Sequence, residues 1–417
     1  MRNGYVWWIV GIIMLLLDLY VYQAIKTVSQ NSSSQFKIII NYSYWILSAT
    51  TLACLLSLPY ITALQTNKIF RNYVFAILLG LFFAKLIGAI FFLFDDLRRF
   101  IVFVVQKITL SNQSQSVSDG NGISRSTFIS WLGLALGGTL FGTLLWGFSN
   151  KYKYEIRRIS LSFSNLPKAF KGLKIIHISD IHSGSFNDRE AVNKGVDMIL
   201  KEKPDLILFT GDLVNDRHEE MFDYKDIFSQ LNAPMGVFST LGNHDYGDYM
   251  SWPNEAAKKQ NLENLKQLQK SMGWRLLMNE HILFERDGEQ IALLGIENFG
   301  AKGRFPKYGR MQDAYPGTER IPFKILMSHD PSHWDYQVKK DYKDIDLMLS
   351  GHTHGMQFGL ENPYFKWSPV QWMYKQWAGL YEDGYQKLYV NRGFGFIGYP
   401  GRVGIMPEIT VLTLENG

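Results

Sequence analysis

Leu173-Lys174-Ile175-Ile176-His177-Ile178-Ser179-Asp180-Ile181-His182 opens as a run of β-branched residues and closes on a carboxylate and an imidazole two positions apart. A short, continuously apolar run reads as a buried strand, and the polar pair after it as a loop at that strand's carboxyl end. The pattern returns four times. Residues 206–210 lead into Gly211-Asp212, 237–241 into Gly242-Asn243-His244-Asp245, 323–327 into Ser328-His329-Asp330, and 347–349 into Gly351-His352-Thr353-His354. A further strand is expected at 291–296. Helical periodicity appears at 189–201, 224–231, 255–272 and 334–340, with Gly273 stopping the third. Strands alternating with helices predict a layered α/β domain. In such sheets ligands bind at the carboxyl ends of the strands, where these polar motifs lie.

The residue types suit two divalent cations about 3.5–4 Å apart, with one carboxylate between them and N/O donors around each. Asp180 and His182 suit one ion, joined by His354. Asn243, His329 and His352 suit the other, and Asp212 is the natural bridge. A water or hydroxide shared by the metals is the expected nucleophile. Thiolates are absent from the set, which favours Mn, Fe or Zn at a catalytic site over a structural zinc. His244 is left without a metal; with Asp245 beside it as an orienting, catalytic carboxylate, it suits protonation of a leaving group or a hydrogen bond to a phosphoryl oxygen.

Together these five motifs resemble the calcineurin-like metallophosphoesterase superfamily, over roughly residues 173–414. The resemblance implies a four-layer α/β/β/α sandwich and the metal and acid roles just described. The ending, from Tyr389-Val390-Asn391-Arg392-Gly393 to Pro407-Glu408-Ile409-Thr410, further resembles the membrane-associated, often exported branch of that family. Two departures concern substrate and not metals: Met356 stands where that branch has a second glycine, and 394–402 is unusually aromatic.

The first part of the chain has another character. Of 417 residues, those up to about 150 are dominated by apolar, aromatic-rich runs. Four are long enough to cross a bilayer, near 5–25, 44–64, 73–94 and 128–148. Tyr and Trp at several of their ends fit interfacial anchoring. Residues 100–105 are too short to span and are expected along the interface. The domain plan is therefore a multi-pass region at 1–150, a linker and leading strand at 151–172, and a catalytic domain at 173–417. Asp18 and Lys85 interrupt two spans and read as a structural pair, with a transport path as the other reading. Gly133 and Gly137, then Gly138 and Gly142, have the small-xxx-small spacing of close helix packing. Residues 111–126 form a polar loop.

Four spans place both chain ends on one side, and Lys and Arg are nearly balanced between the sides. Ser124-Arg125-Ser126-Thr127-Phe128-Ile129 resembles a twin-arginine export signal, with Ser126 in place of the second arginine. That resemblance leans toward an extracytoplasmic catalytic domain.

A net charge of +5 with no Lys/Arg block argues against a nucleic-acid partner. The one cysteine, Cys54, excludes a disulfide framework. His177 reads as a core histidine, and His218, His281 and His333 as surface ones. Arg392 and Arg402 have two readings, a bidentate phosphate clamp or ion pairs that pack the tail. The aromatic stretch 364–381 is either a self-packed cover or an amphiphilic surface that admits a phospholipid or lipid-linked phosphate. The leading function is a membrane-anchored, metal-dependent phosphoesterase for monoesters or diesters. A non-catalytic membrane scaffold or sensor on the same fold is the alternative, and a transporter with an accessory hydrolase the third.

Overall fold

Residues 4–58, 60–61, 67–108, 124–303, 305 and 307–417 are described by the computed structural model of the chain. The expected polar loop lies outside the described residues as far as residue 123. The chain divides into two units, Met1–Trp146 and Gly147–Gly417.

The first unit is built from α1 (Gly4–Ser29), α2 (Ser34–Ser57), α3 (Lys68–Ile108) and α4 (Arg125–Gly147). All four are long and apolar enough to cross a membrane. The second begins ten residues before the expected 44: the Ser33 hydroxyl caps it by accepting from the Phe36 N–H at 3.3 Å. It ends at Ser57, with Leu58 still in a helical conformation and its N–H bonded to the Cys54 carbonyl. Residues 100–105, expected on the interface, instead continue α3. At 41 residues that helix is about 60 Å long, about twice the apolar thickness of a bilayer.

Asp18 and Lys85 do pair, both buried. Lys85 also reaches Ser48, while the Tyr44 hydroxyl donates to the Asp18 carbonyl at 2.8 Å and carboxylate at 3.2 Å. A buried charge pair with its remaining lone pairs satisfied holds helices together. The glycine stripe is used on one side only. A Cβ on Gly137 would lie 2.3 Å from the Ala84 carbonyl oxygen, so α3 and α4 touch there. Among the described residues, a Cβ on Gly138 or Gly142, expected to pack likewise, would meet nothing within 4 Å.

In the second unit two six-stranded sheets face each other. One has the order β1 (Glu155–Phe163), β14 (Glu408–Asn416), β2 (Lys174–Ile178), β3 (Leu206–Phe209), β4 (Val237–Ser239), β5 (Arg275–Leu276). The other runs β12 (Gly379–Asp383), β13 (Gln386–Val390), β9 (Leu347–Ser350), β8 (Lys324–Met327), β7 (Glu289–Gly295), β6 (Glu280–Arg286). Between the edges, β2–β3–β4 and β7–β8–β9–β13 are parallel. A separate hairpin joins β10 (Leu360–Asn362) to β11 (Phe365–Trp367).

The period-2 alternation of strands sorts the layers. Ile175, Leu206, Leu208, Leu293, Ile325, Leu347 and Leu412 meet between the sheets. Ile176, Ile178, Ile207, Phe209 and Val411 point the other way, under α5 (Arg189–Lys201) and α7 (Glu255–Ser271). Leu326, Met348, Leu388 and Val390 lie under Trp334 and Val338 on the opposite outer face. The layers are α/β/β/α. Strands covered on both faces read as continuous apolar runs, which is why β2, β3, β8 and β9 are visible in the sequence. β1, within the stretch where a leading strand is expected, and β6, which has no sequence signal of its own, are edge strands with charge on the open face.

Candidate metal centre

Asp180, Asp212, Asn243, His329 and His352 each lie in the loop that leaves the carboxyl end of a parallel strand, β2, β3, β4, β8 and β9 respectively. The loops are sharply bent. Asp180, His182, Asp212, His352 and His354 all hold φ between 49° and 71°, a left-handed region that non-glycine residues seldom occupy. Such conformations persist where the surroundings over-determine them, and they cluster at functional sites. Glycines let the loops close up: a Cβ on Gly242 would stand 2.2 Å from Asp212 Oδ1, and one on Gly351 2.2 Å from Asp180 Oδ2.

Two donor clusters result. Asp180, His182 and His354 offer ligand atoms within 4.8 Å of one another, and so do Asp212, His329 and His352. Asp212 Oδ2 lies 3.5 Å from His182 Nε2 and 3.1 Å from His329 Nε2, so it sits between the clusters. Asn243 Oδ1 is 2.7 Å from His352 Nδ1, which adds it to the second group. The seven side chains that the sequence groups as candidate donors are thus brought together in that grouping.

Whether cations fit there is answered by what the atoms lack. Among the described residues, both nitrogens of His182, Nε2 of His329 and Nε2 of His354 are buried and make no well-directed hydrogen bond, although carboxylate oxygens stand 3.1 Å from His329 Nε2 and 3.3 Å from His354 Nε2. Buried polar atoms are nearly always satisfied, and two fully buried carboxylates need opposite charge. A metal pair would meet both demands. The second nitrogen of His329 is already used: Nδ1–H donates to the Thr210 carbonyl at 2.7 Å, fixing the ring as a ligand through Nε2.

The electrostatics of the chain alone point the same way. Burial opposes the His329 imidazolium, but Asp212 and Asp180 outweigh it and lift its pKa to about 10. Burial also works against the Asp212 carboxylate, yet the surrounding imidazoles hold it well below the usual range. Burial pushes His182 and His352 down, toward the neutral form that binds metal.

His244 is oriented by a different group from the one expected. Its Nδ1–H donates to the Asn215 carbonyl at 2.8 Å, and its backbone N–H to Asp212 Oδ1 at 2.8 Å. Asp245 does not orient it. The Asp245 carboxylate turns inward and accepts from the N–H groups of Asp212, Leu213, Val214 and Gly242, at 2.8–3.3 Å. It is a clasp on the loop that carries Asp212, which corrects the catalytic role expected from adjacency. Burial and the Asp212 charge push its carboxyl up to about 7 against those four amides.

The arginines are also spoken for. Arg392 is buried and paired with Glu361 and Glu408. Arg402 is fully buried and donates to the carbonyls of Arg392 and Gly393 at 2.8 and 3.2 Å and to that of Gly395. Of the two readings, these contacts fit side chains that pack the tail. His177 is a core residue, as expected, bonded to Thr210. His333 is not on the surface: it is buried beside a π-helical turn, bonded to Ser328 and Gln337. His218 and His281 are partly exposed.

Three neighbours carry no sequence signal. Tyr374 places its hydroxyl 2.9 Å from His352 Nε2 and 3.4 Å from the Asp330 carboxylate. Tyr249 accepts from Asn243 Nδ2 at 2.9 Å and packs on His244, ring centroids 4.5 Å apart. Phe305 stands edge-on to His352 at 4.7 Å. Met356, standing where a glycine is usual, holds φ +56°.

Comparison with known proteins agrees with this geometry. Residues 173–356 match the family model described as calcineurin-like phosphoesterase. Residues 1–151 match a model described as the transmembrane domain of a probable calcineurin-like phosphoesterase. The uncharacterized metallophosphoesterase YkuE of Bacillus subtilis is 30% identical over 270 residues, covering 63% of this chain and 86% of that one. A transmembrane protein with metallophosphoesterase domain from Danio rerio is also 30% identical, over 62% of this chain and 56% of its own length. The UDP-2,3-diacylglucosamine pyrophosphatase LpxG of Chlamydia muridarum is 26% identical over 60% of this chain and 88% of that one. With two donor clusters at the strand ends of an α/β/β/α sandwich, preceded by four membrane-length helices, the chain belongs to the calcineurin-like metallophosphoesterases.

Proposed function

We propose that this membrane metallophosphoesterase hydrolyses a phosphoester or pyrophosphate bond of a membrane lipid or lipid-linked phosphate. Asp180, His182 and His354 would hold one divalent cation, Asn243, His329 and His352 the second, and Asp212 would serve both. Mn, Fe and Zn all suit the donor set. When bound, such a pair acidifies water and draws charge from phosphoryl oxygens. His244 supplies the hydrogen bond or proton to the departing or non-bridging oxygen. The Asn215 carbonyl holds the proton on its Nδ1, so in the doubly protonated ring the Nε2–H is the one free for that task. Asp245 keeps Asp212 in place.

The observation that carries the lipid reading is chain continuity: the unit that holds the donors begins at Gly147, where the fourth membrane-length helix ends. The carbonyl of Gly147, the last residue of α4, accepts from the Arg402 N–H at 2.9 Å. The Arg402 guanidinium in turn lies 3.3 Å from His354 Nδ1. A domain joined directly to four membrane-length helices meets membrane substrates at high effective concentration. The lipid-linked substrate in the name of the Chlamydia relative fits this.

We also place the catalytic domain outside the cytoplasm. Arg157 and Arg158, which weigh against that orientation as loop charges, belong to the folded strand β1. Folded domains cross membranes largely regardless of charge.

Purified full-length protein in Mn²⁺ should turn over phosphoester lipids in mixed micelles faster than soluble artificial diesters. Asp212→Asn and His244→Ala should abolish both activities. Equal or better hydrolysis of the soluble diesters would remove the lipid assignment and leave the chemistry standing.

A further inference from the structure

The β10–β11 hairpin is inside out. Its register pairs Leu360 with Trp367 and Asn362 with Phe365, and Glu361 with Lys366 on the other face. The charged pair turns toward the domain. Glu361 accepts from Arg157 at 3.0 and 3.2 Å and from Arg392 at 3.0 Å, while Lys366 donates to the Tyr381 hydroxyl at 3.1 Å. The other face is left outward: Leu360 and Phe365 are exposed, and Tyr364 at the tip is 98% accessible. Trp372, 75% accessible, stands edge-on to Trp367 at 6.1 Å, with Met373 exposed next to it. A hairpin built for water has the reverse pattern, apolar side in. Contiguous exposed apolar surface of this kind marks an interaction site.

We propose that this face enters the headgroup–acyl boundary of the bilayer that holds the spans. Chain continuity favours that occupant over a protein. Gly147 ends α4 and is bonded to Arg402. The next residue, Val403, donates to the Gln357 carbonyl at 2.8 Å and accepts from Gly359 at 2.9 Å, and Leu360 opens the hairpin. From Gly359 to Tyr364 is at most about 17 Å of extended chain at 3.3 Å per residue. Tyr and Trp are the residues that membrane interfaces favour, and exposed Lys375 adds charge toward anionic headgroups. The double ion pair at Glu361 clamps the hairpin's base, so the tip is presented rigidly. The proposal holds whatever phosphoester is cut.

The test uses the full chain in nanodiscs containing anionic lipid, with Cys54→Ala as background. An environment-sensitive fluorophore is attached at Tyr364→Cys, at Trp372→Cys or, as a control on another exposed turn, at Tyr385→Cys. Thermal melting of each labelled protein checks its fold. The first two labels should be severalfold less quenched by aqueous iodide than the third, and strongly quenched by lipids carrying a shallow spin label. Equal iodide quenching at all three sites would overturn the proposal. Protection from iodide without lipid quenching would overturn it in favour of a protein occupant, and lipid quenching of all three labels would deny the hairpin any special role.

Discussion

Arg402 ties the catalytic centre to the start of its own domain: its guanidinium lies 3.3 Å from His354 Nδ1, and its backbone N–H donates to the Gly147 carbonyl at 2.9 Å. The same side chain, fully buried, satisfies the carbonyls of Arg392, Gly393 and Gly395. Replacing it by methionine keeps the bulk and orphans those acceptors. Arg402→Met should cost about 3 kcal/mol of stability, since each buried unpaired group costs about 1–3 kcal/mol. Metal content should fall with it. Thermal melting and elemental analysis of the full chain in detergent check both.

Tyr374 joins His352 to Asp330. Groups that hold a ligand's second nitrogen typically contribute about 10–100-fold in metal affinity. Tyr374→Phe keeps the ring and removes the link, so Mn²⁺ affinity should fall about 10-fold with the melting temperature nearly unchanged. Competition against a chelating dye measures it. An unchanged affinity would make Tyr374 packing only.

Glu408 gives a pH signature away from the donors. Burial opposes its ionisation, but Arg392 and Arg157 outweigh that and hold its carboxyl at about 2, below the usual 4.5. A depressed folded pKa contributes stability that is complete above about 4.5 and is lost as pH falls through 2. The shift corresponds to about 3 kcal/mol at 1.36 kcal/mol per unit. Glu408→Gln should therefore be less stable than wild type at neutral pH by roughly that amount. The gap should narrow between pH 4.5 and 2. Melting curves across that range show whether it does.

Gly242 stands against Asp212 with room for no side chain. Gly242→Ala should displace the Asp212 carboxylate and lower kcat by about 100-fold or more, a scale that misplacements of about 1 Å reach. Kinetics with a soluble diester, beside a melting curve, separate this from unfolding.

Much of this site is legible in the chain because each donor follows a strand that is apolar on both faces. Asp180, Asp212, Asn243, His329 and His352 are thus placed by local pattern alone. Asp245 shows where adjacency misleads: consecutive residues on a tight loop point apart, so His244 reaches outward and its neighbour turns in to four amides. Tyr374, Tyr249 and Phe305 arrive from loops with no periodicity, and only tertiary packing brings them to the donors. His333 looked polar from its neighbours, and the π-helical turn buries it. The edge strand β6 is hidden by the charge that keeps an open edge from pairing.

The most direct test is to strip the full-length protein with chelator and titrate Mn²⁺ while following hydrolysis of a soluble phosphodiester. The account predicts no activity in the stripped protein, recovery complete at two bound equivalents per chain, and none in Asp212→Asn. Full activity without added metal, or in Asp212→Asn, would contradict it.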